Sequence, residues 1–189
     1  MRVGAVILAA GASTRLGEPK QLVRLGEENL LERAVRAARE AACSPIVVVV
    51  GAESGRVLAE SVLGDATTVI NEEWKEGMAS SVRWGVEVLR LGDEDLDGVV
   101  LMTCDQPAVT ARHLVELTRS GAVNGSRYAG RNGVPAFFPV RNFQDLMSLQ
   151  GDAGARALLA EAASVELENG ELDIDTPAEL LRARELFGE

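Results

Sequence analysis

The chain reads first as an alternation of two periods. Short apolar runs rich in β-branched residues recur at Val3 to Leu8, Ile46 to Val50, Thr67 to Ile70 and Val99 to Met102. Between them the apolar positions fall at helical spacing. Leu30, Leu31, Ala34, Val35 and Ala38 share one helical face, and so do Met78, Val82, Val86 and Leu89. Near-continuous apolar strands alternating with amphipathic helices predict an α/β fold with a mostly parallel central sheet covered on both sides. Past Val109 to Thr118, a further expected helix, the pattern is less regular. Tyr128-Ala129, Pro135 to Val140 and Ser164 to Leu167 read as shorter strands, with room for one antiparallel member. Arg141 to Leu149, Ala153 to Ala162 and Ala178 to Phe187 read as helices, the last preceded by Pro177 at a favoured position. Ser54-Gly55 and Gly92-Asp93 mark loops. No repeat, low-complexity run or linker interrupts the pattern, so residues 1–189 are expected to form one domain with a core of its own.

Composition narrows the function classes. The 47% apolar and 25% charged fractions are those of an ordinary soluble protein. No apolar run reaches membrane-spanning length. A net charge of −10 argues against nucleic acid or an anionic membrane as a partner. Arg2 and the apolar stretch after it have a superficial signal-peptide look, but strand-forming Val and Ile running into a small-residue loop argue for a cytoplasmic chain. Cys43 and Cys104 lack metal or redox spacing and are expected to be buried thiols.

On so acidic a chain, a local pair of cations stands out. The first strand ends in Leu8-Ala9-Ala10-Gly11-Ala12-Ser13-Thr14-Arg15-Leu16-Gly17-Glu18-Pro19-Lys20-Gln21-Leu22. Bulky side chains vanish at Ala9 to Ala12, so a ligand can approach the backbone closely, and Arg15 and Lys20 flank the opening. A strand ending in a small-residue turn beside cations suits an anion, above all phosphate. The spacing is neither that of a Walker loop nor Gly-x-Gly-x-x-Gly. The plain alternative is an ordinary strand-to-helix turn with two surface cations.

Ligands of parallel sheets bind beyond the carboxyl ends of the strands. A second such end is Thr103-Cys104-Asp105-Gln106-Pro107, where Asp105 is either a carboxylate aimed at a hard metal such as Mg²⁺ or simply a turn former or helix cap. In Leu172-Asp173-Ile174-Asp175-Thr176-Pro177, alternation puts Asp173 and Asp175 on one side, and Asp175 or Thr176 can also cap the final helix. In Asn71-Glu72-Glu73-Trp74-Lys75-Glu76-Gly77-Met78-Ala79-Ser80-Ser81, Gly77 permits close approach, while Ser80 and Ser81 either read a base edge or serve the helix start. Trp74 reads as a packing residue. Gly151-Asp152 can open a helix that, with Arg156, attracts an anion. By itself the plainer reading, a capped helix and a solvated Arg156, is favoured. His113 has no catalytic partner pattern and reads as a surface or structural residue.

In this order the motifs resemble the nucleotidyltransferase superfamily and, within it, the molybdenum cofactor cytidylyltransferase branch. Leu8-Ala9-Ala10-Gly11 is similar to the cytidine-using form of the first loop, where guanylyl relatives typically have a second glycine at the position of Ala10. The resemblance implies a three-layer Rossmann-like nucleotidyltransferase fold with a nucleotide-binding half at about 1–109 and an acceptor half at about 110–189. It implies Arg15, Lys20 and Asp105 as catalytic, with Leu8 to Ala12, Arg15, Lys20, Gly77, Ser80 and Ser81 around the nucleotide. Mg²⁺ would be held by Asp105 and Asp175, Asp173 being the less favoured second ligand. Gly133, Pro135, Gly151, Asp152 and Arg156 would line the acceptor site. CTP and molybdopterin are the implied substrates, and a molybdoenzyme or its chaperone the receiver of the product. Relatives usually carry histidine before the proline of the Gly-x-Pro motif, where this chain has Val134. That departure bears on the acceptor more than on the chemistry. GTP, another phosphorylated acceptor, or a diverged NAD(P)H-dependent oxidoreductase are the alternative readings. Asp105 and Asp175 speak against the last, since hydride transfer needs no metal clamp.

Overall fold

The computed structural model describes residues 1–93, 95–152 and 154–188. Its strands and helices run β1 (Val3–Ala9), β2 (Arg24–Leu25), β3 (Glu28–Asn29), α1 (Leu30–Glu40), β4 (Ile46–Val50), α2 (Ser54–Ala59), β5 (Thr67–Ile70), α3 (Met78–Gly92), β6 (Gly98–Thr103), α4 (Ala111–Thr118), β7 (Asn124–Tyr128), β8 (Arg131–Pro139), α5 (Phe143–Met147), α6 (Arg156–Leu159), β9 (Ala163–Glu166) and α7 (Pro177–Phe187). Seven strands form one sheet in the order β5-β4-β1-β6-β8-β7-β9. β1 pairs in parallel with both β4 and β6, and β8 is the antiparallel member, inserted between β6 and β7.

β1 and β4 are buried along their whole length, which is why they read as unbroken apolar runs rather than alternating ones. Alternate residues feed two cores. Ala5, Ile7, Val48 and Val50 pack with α1 and α4, whereas Val6, Leu8, Val47 and Val49 pack with α3. A Cβ on Gly85 would overlap the methyls of Val6 and Val49, so this glycine lets α3 lie close against the sheet. α1 is opened by Asn29 and Glu32, which bond reciprocally to each other's backbone amides as a capping box. Thr176 and Glu179 repeat the device at α7, with Pro177 in the first turn.

A third, smaller core decides where the site forms. Val23 and Leu25 around the β2–β3 hairpin, Leu30, Leu172, Ile174, Leu180 and Ala183 bury one another. Burying a side chain such as Ile174, which is fully shielded, contributes roughly 1.5–3 kcal/mol. That anchor fixes the carboxylates on either side of it.

Several sequence expectations are corrected. Ser54-Gly55 belong to α2 rather than to a loop. Met78 is 42% exposed at the start of α3 while Val82, Val86 and Leu89 on the same stripe are buried. Gly151-Asp152 do not open a helix: Gly151 and Gly154 adopt positive φ, and α6 begins only at Arg156 and is four residues long. Ala153, the expected start of that helix, lies outside the described residues. Arg131 to Val134 extend β8, which was expected to start at Pro135. Among the described residues no helix is long and apolar enough to cross a membrane.

Candidate active site

The site lies beyond the carboxyl ends of β1 and β6. After β1 the small residues Ala10 to Ala12 carry the chain away from the sheet, and two side chains give the loop its shape. Gln21 is fully buried and its amide nitrogen donates to the carbonyls of Ala9 (2.6 Å) and Gly11 (3.0 Å). Only the amide nitrogen can serve two carbonyls, so the orientation of this amide is fixed by its partners. Ser13, at positive φ, accepts the amides of Leu16 and Gly17 on its carbonyl and that of Lys20 on its hydroxyl at 2.9 Å. Neither residue was singled out from the sequence. The signal available was the polar Gln21 directly ahead of the apolar Leu22 and Val23.

The turn aims Lys20 at the end of β6. Its ammonium donates to Asp105 Oδ2 at 2.5 Å and to Asp175 Oδ1 at 2.7 Å. Arg15, on the open side, donates to Asp175 Oδ2 at 2.7 Å. Asp105 is placed by β6, and its carbonyl accepts the amide of Ile174 at 3.0 Å, tying the anchored C-terminal segment to the strand end. Burial alone would pull the Lys20 ammonium down, but the charges and hydrogen bonds of Asp105 and Asp175 outweigh it and hold its pKa above the ordinary value. Burial acts the other way on Asp175, and there Lys20 and Arg15 prevail and depress the carboxyl. Asp173 lacks such a partner: burial first, then the neighbouring Asp105 and Asp175, push it up to about 7. Cys104, buried beside Asp105, is a thiol pushed up to about 12, chiefly by burial, and is inert as a nucleophile.

Two cavities meet at this cluster. The smaller, about 250 Å³, is lined by Leu8, Ala9, Ala10, Gly11, Trp74, Gly77 and Ser81. The larger, about 640 Å³, is lined by Tyr128, Arg131, Gly133, Val134, Arg156, Asp173 and Asp175. Lys20, Met78, Thr103, Asp105 and Asp152 face both. The structure therefore brings together most of the residues expected from sequence. Five sit differently. Arg15 lines neither cavity and reaches the cluster from the open side through Asp175. Ser80 is buried, its hydroxyl donating to the Gly77 carbonyl at 2.9 Å, with that of Glu73 at 3.1 Å, and accepting from Asn71, so it shapes the helix start and does not line either cavity. Pro135 is buried behind the larger cavity. Ala12 lies on the loop outside the smaller cavity. Gly151 does not line the larger cavity: its carbonyl accepts the amide of Ala79 at 3.0 Å, and a Cβ on Gly77 would collide with Gly151 and Asp152. The loop expected on the acceptor side is thus fastened to the first turn of α3.

The larger cavity has a rigid back wall. Tyr128 donates to the Val134 carbonyl at 3.0 Å and accepts from Gln106, whose amide nitrogen also reaches the Gly170 carbonyl. His113 is buried, with Nε2 2.7 Å from the Ser126 hydroxyl, which itself donates to the Pro135 carbonyl. Since that hydroxyl proton is used, His113 is the donor, and it serves the wall rather than the reaction.

Among the described residues no three His, Cys, Asp or Glu side chains converge as a metal site. What the chain provides is two carboxylates around one cation. Asp105 Oδ1 is buried without a hydrogen-bond partner, and Oδ2 is held by an ammonium. A hard divalent ion that keeps its remaining positions for water and phosphate fits such a donor pair.

The comparisons with known proteins agree with this geometry. The chain is 31% identical over 171 residues to the nicotine blue oxidoreductase of Paenarthrobacter nicotinovorans, covering 84% of this chain and 82% of that protein. It is 27% identical over 199 residues to the molybdenum cofactor cytidylyltransferase of Escherichia coli, covering 99% and 98%. Rv0371c of Mycobacterium tuberculosis superposes with a TM-score of 0.84 at 29% identity, over 98% of each chain, and a structure of that protein holds manganese, with a TM-score of 0.79 at 26% identity over 98% of this chain and 99% of that one. A MobA-like NTP transferase domain matches residues 5–167, a span that includes the first loop and Asp105 and stops short of Asp175. A mostly parallel sheet whose strand ends gather Lys20 and Asp105 over two joined cavities, together with a family match across most of the chain, leads to one assignment: the protein belongs to the MobA-like NTP transferase family.

Proposed function

We propose that this protein transfers CMP from CTP to the terminal phosphate of molybdopterin, releasing pyrophosphate. The observation that carries the reading is the meeting of two cavities at Lys20 and Asp105, one lined by the small-residue loop and one by Asp175, Arg131 and Arg156. The nucleotide would occupy the first, built from the half at about 1–109, and the acceptor the second, built largely from the half at about 110–189. Leu8 to Ala12, Gly77 and Ser81 would enclose the nucleotide, with Ser80 supporting them from behind. Gly133, Asp152 and Arg156 would face the acceptor, with Pro135 and Gly151 shaping its walls.

An acceptor phosphate oxygen attacks the α-phosphorus, a new P–O bond forms, and the bond to the bridging oxygen of pyrophosphate breaks. The nucleophile is already anionic near neutral pH, so no general base is needed, in keeping with the structural role of His113. The work left to the protein is alignment and charge neutralisation. Lys20 and Arg15 supply positive charge to the triphosphate. Asp105 and Asp175 would hold Mg²⁺, which when bound neutralises phosphate charge. The lining of the smaller cavity has two carboxyl groups (Asp105, Asp152) against one cation (Lys20), so a triphosphate there is better received with a divalent ion than without one. The likeness to an Escherichia coli cytidylyltransferase, and Ala10 in place of a second glycine, support CTP over GTP.

The test is pyrophosphate release from CTP and from GTP, with Mg²⁺, with and without molybdenum-loaded molybdopterin. Release confined to CTP plus the pterin is expected. Release with another phosphorylated acceptor alone would move the acceptor assignment. The 31% likeness to nicotine blue oxidoreductase favours a second reading, reduction of a small molecule by a nicotinamide cofactor. Nicotinamide oxidation that survives Asp105→Ala would select it.

A further inference from the structure

The ammonium of Lys20 occupies the space between Asp105 Oδ2 and Asp175 Oδ1, at 2.5 and 2.7 Å. Those are the two carboxylates that the proposed reaction needs around a divalent ion. Both partners are shielded, with the Lys20 side chain 16% and the Asp105 side chain 12% exposed. Lys20 takes the two oxygens that face each other, so a cation entering between Asp105 Oδ2 and Asp175 Oδ1 must displace the ammonium, and a displaced, largely buried ammonium needs another anion. The small-residue loop that carries Lys20 also lines the smaller cavity, so a triphosphate bound there lies within reach of the same side chain.

We infer that Lys20 is a resident placeholder for the metal, a positioning residue that holds Asp105 and Asp175 together in the nucleotide-free protein and yields their oxygens only when nucleotide phosphates accept its charge. This rests on the nucleotidyl-transfer reading for the identity of the anion, but not for the displacement itself. Metal and nucleotide then bind as a coupled pair, and the coupling is reciprocal. Without nucleotide, the divalent ion competes against a built-in cation and binds weakly. Arg15 serves as the internal comparison. It also bonds Asp175, but from the open side, 69% exposed, and does not stand between the carboxylates.

The experiment is Mn²⁺ binding followed by electron paramagnetic resonance, without nucleotide, in the wild-type protein, Lys20→Met and Arg15→Met, each checked for folding by circular dichroism. Lys20→Met should bind Mn²⁺ about 5- to 150-fold more tightly than wild type, the usual span of such couplings. Arg15→Met should change it by no more than about twofold, as expected for an exposed pair. Wild-type protein should gain Mn²⁺ affinity on addition of CTP, and Lys20→Met should lose most of that gain. Equal Mn²⁺ affinity in wild type and Lys20→Met, or an equal rise in Arg15→Met, would overturn the placeholder. If Lys20→Met fails to fold, the wild-type arm decides: Mn²⁺ binding that is tight without nucleotide and indifferent to CTP overturns it. A Lys20→Met protein that binds Mn²⁺ tightly beside a wild type that releases no pyrophosphate from any nucleotide would remove the transfer reading and leave the placeholder standing.

Discussion

The loop after β1 and the loop before α6 face each other across the same cluster, and they are built on opposite principles. The first is held from within. Gln21 is buried under it, Ser13 ties its turn, and Lys20 ends in two charged hydrogen bonds. The second is held from outside. Its own helix is four residues long, Asp152 and Arg156 are exposed, and it is tied to α3 through the Gly151 carbonyl on the amide of Ala79 and the Leu149 carbonyl on the guanidinium of Arg83. A loop with internal bonds presents one geometry before any ligand arrives, which suits a triphosphate common to many reactions. A loop fastened through its backbone carbonyls can change its surface residues without unfolding, which suits the part of a site that varies with the acceptor.

The largest effects should come from the internally held side. Lys20→Ala and Asp105→Ala should each lower pyrophosphate release on the order of 10²–10³-fold or more, with circular dichroism unchanged. Next, Gln21→Leu removes the donor to two buried carbonyls and should cost about 2–4 kcal/mol in urea unfolding while raising the KM for nucleotide. Full stability in that variant would show that the loop is shaped by something else. On the other side, Arg156→Ala should leave stability within about 0.5 kcal/mol and raise the acceptor KM roughly tenfold with nucleotide binding unchanged. An equal loss of nucleotide affinity would erase the contrast between the loops. The smallest effect concerns the back wall. Burial is the main cause that lowers the pKa of His113 below its ordinary 6.5, against a weaker upward pull from Glu116. Its contribution to stability is therefore complete above about pH 6.5 and is lost as pH falls through the lower folded value. Chemical denaturation at pH 7.5 and 5.5 should show a decline that shrinks in His113→Asn.

The same contrast explains what could be read in the sequence. β1, β4 and β6 were legible because burial on both faces leaves an apolar run with little else to be, and β5, a mostly exposed edge strand, through its β-branched residues. α1 and α3 were legible through their buried stripes, although Met78 broke the stripe by facing the cavities. Lys20 and Asp105 could be picked out because charge at the end of a buried strand has few other uses. Asp175 was harder, and its role depends on Ile174 locking into a core shared with Val23 and Leu25, about 150 residues away in sequence. The placement of Gly151 was missed because the partner that decides it, the Ala79 amide, is a backbone group with no signature in the residue type. Ser13 and Gln21 went unassigned for the same reason: their bonds are to backbone.

The bond from Ile174 to Asp105, and the 160 residues that separate Arg15 from Asp175, have a consequence for how the protein is made. Chains emerge from the ribosome N-terminus first, and the parallel core of β1, β4 and β6 is complete once residue 103 is out. The first loop can therefore take shape before the segment that carries Asp175 has been made. The second carboxylate that shares Lys20, Asp175, arrives about 70 residues after Asp105. A nascent chain thus carries its first loop well before Asp175 can join Asp105 around Lys20, and the charged cluster is completed only when the segment at 172–175 docks.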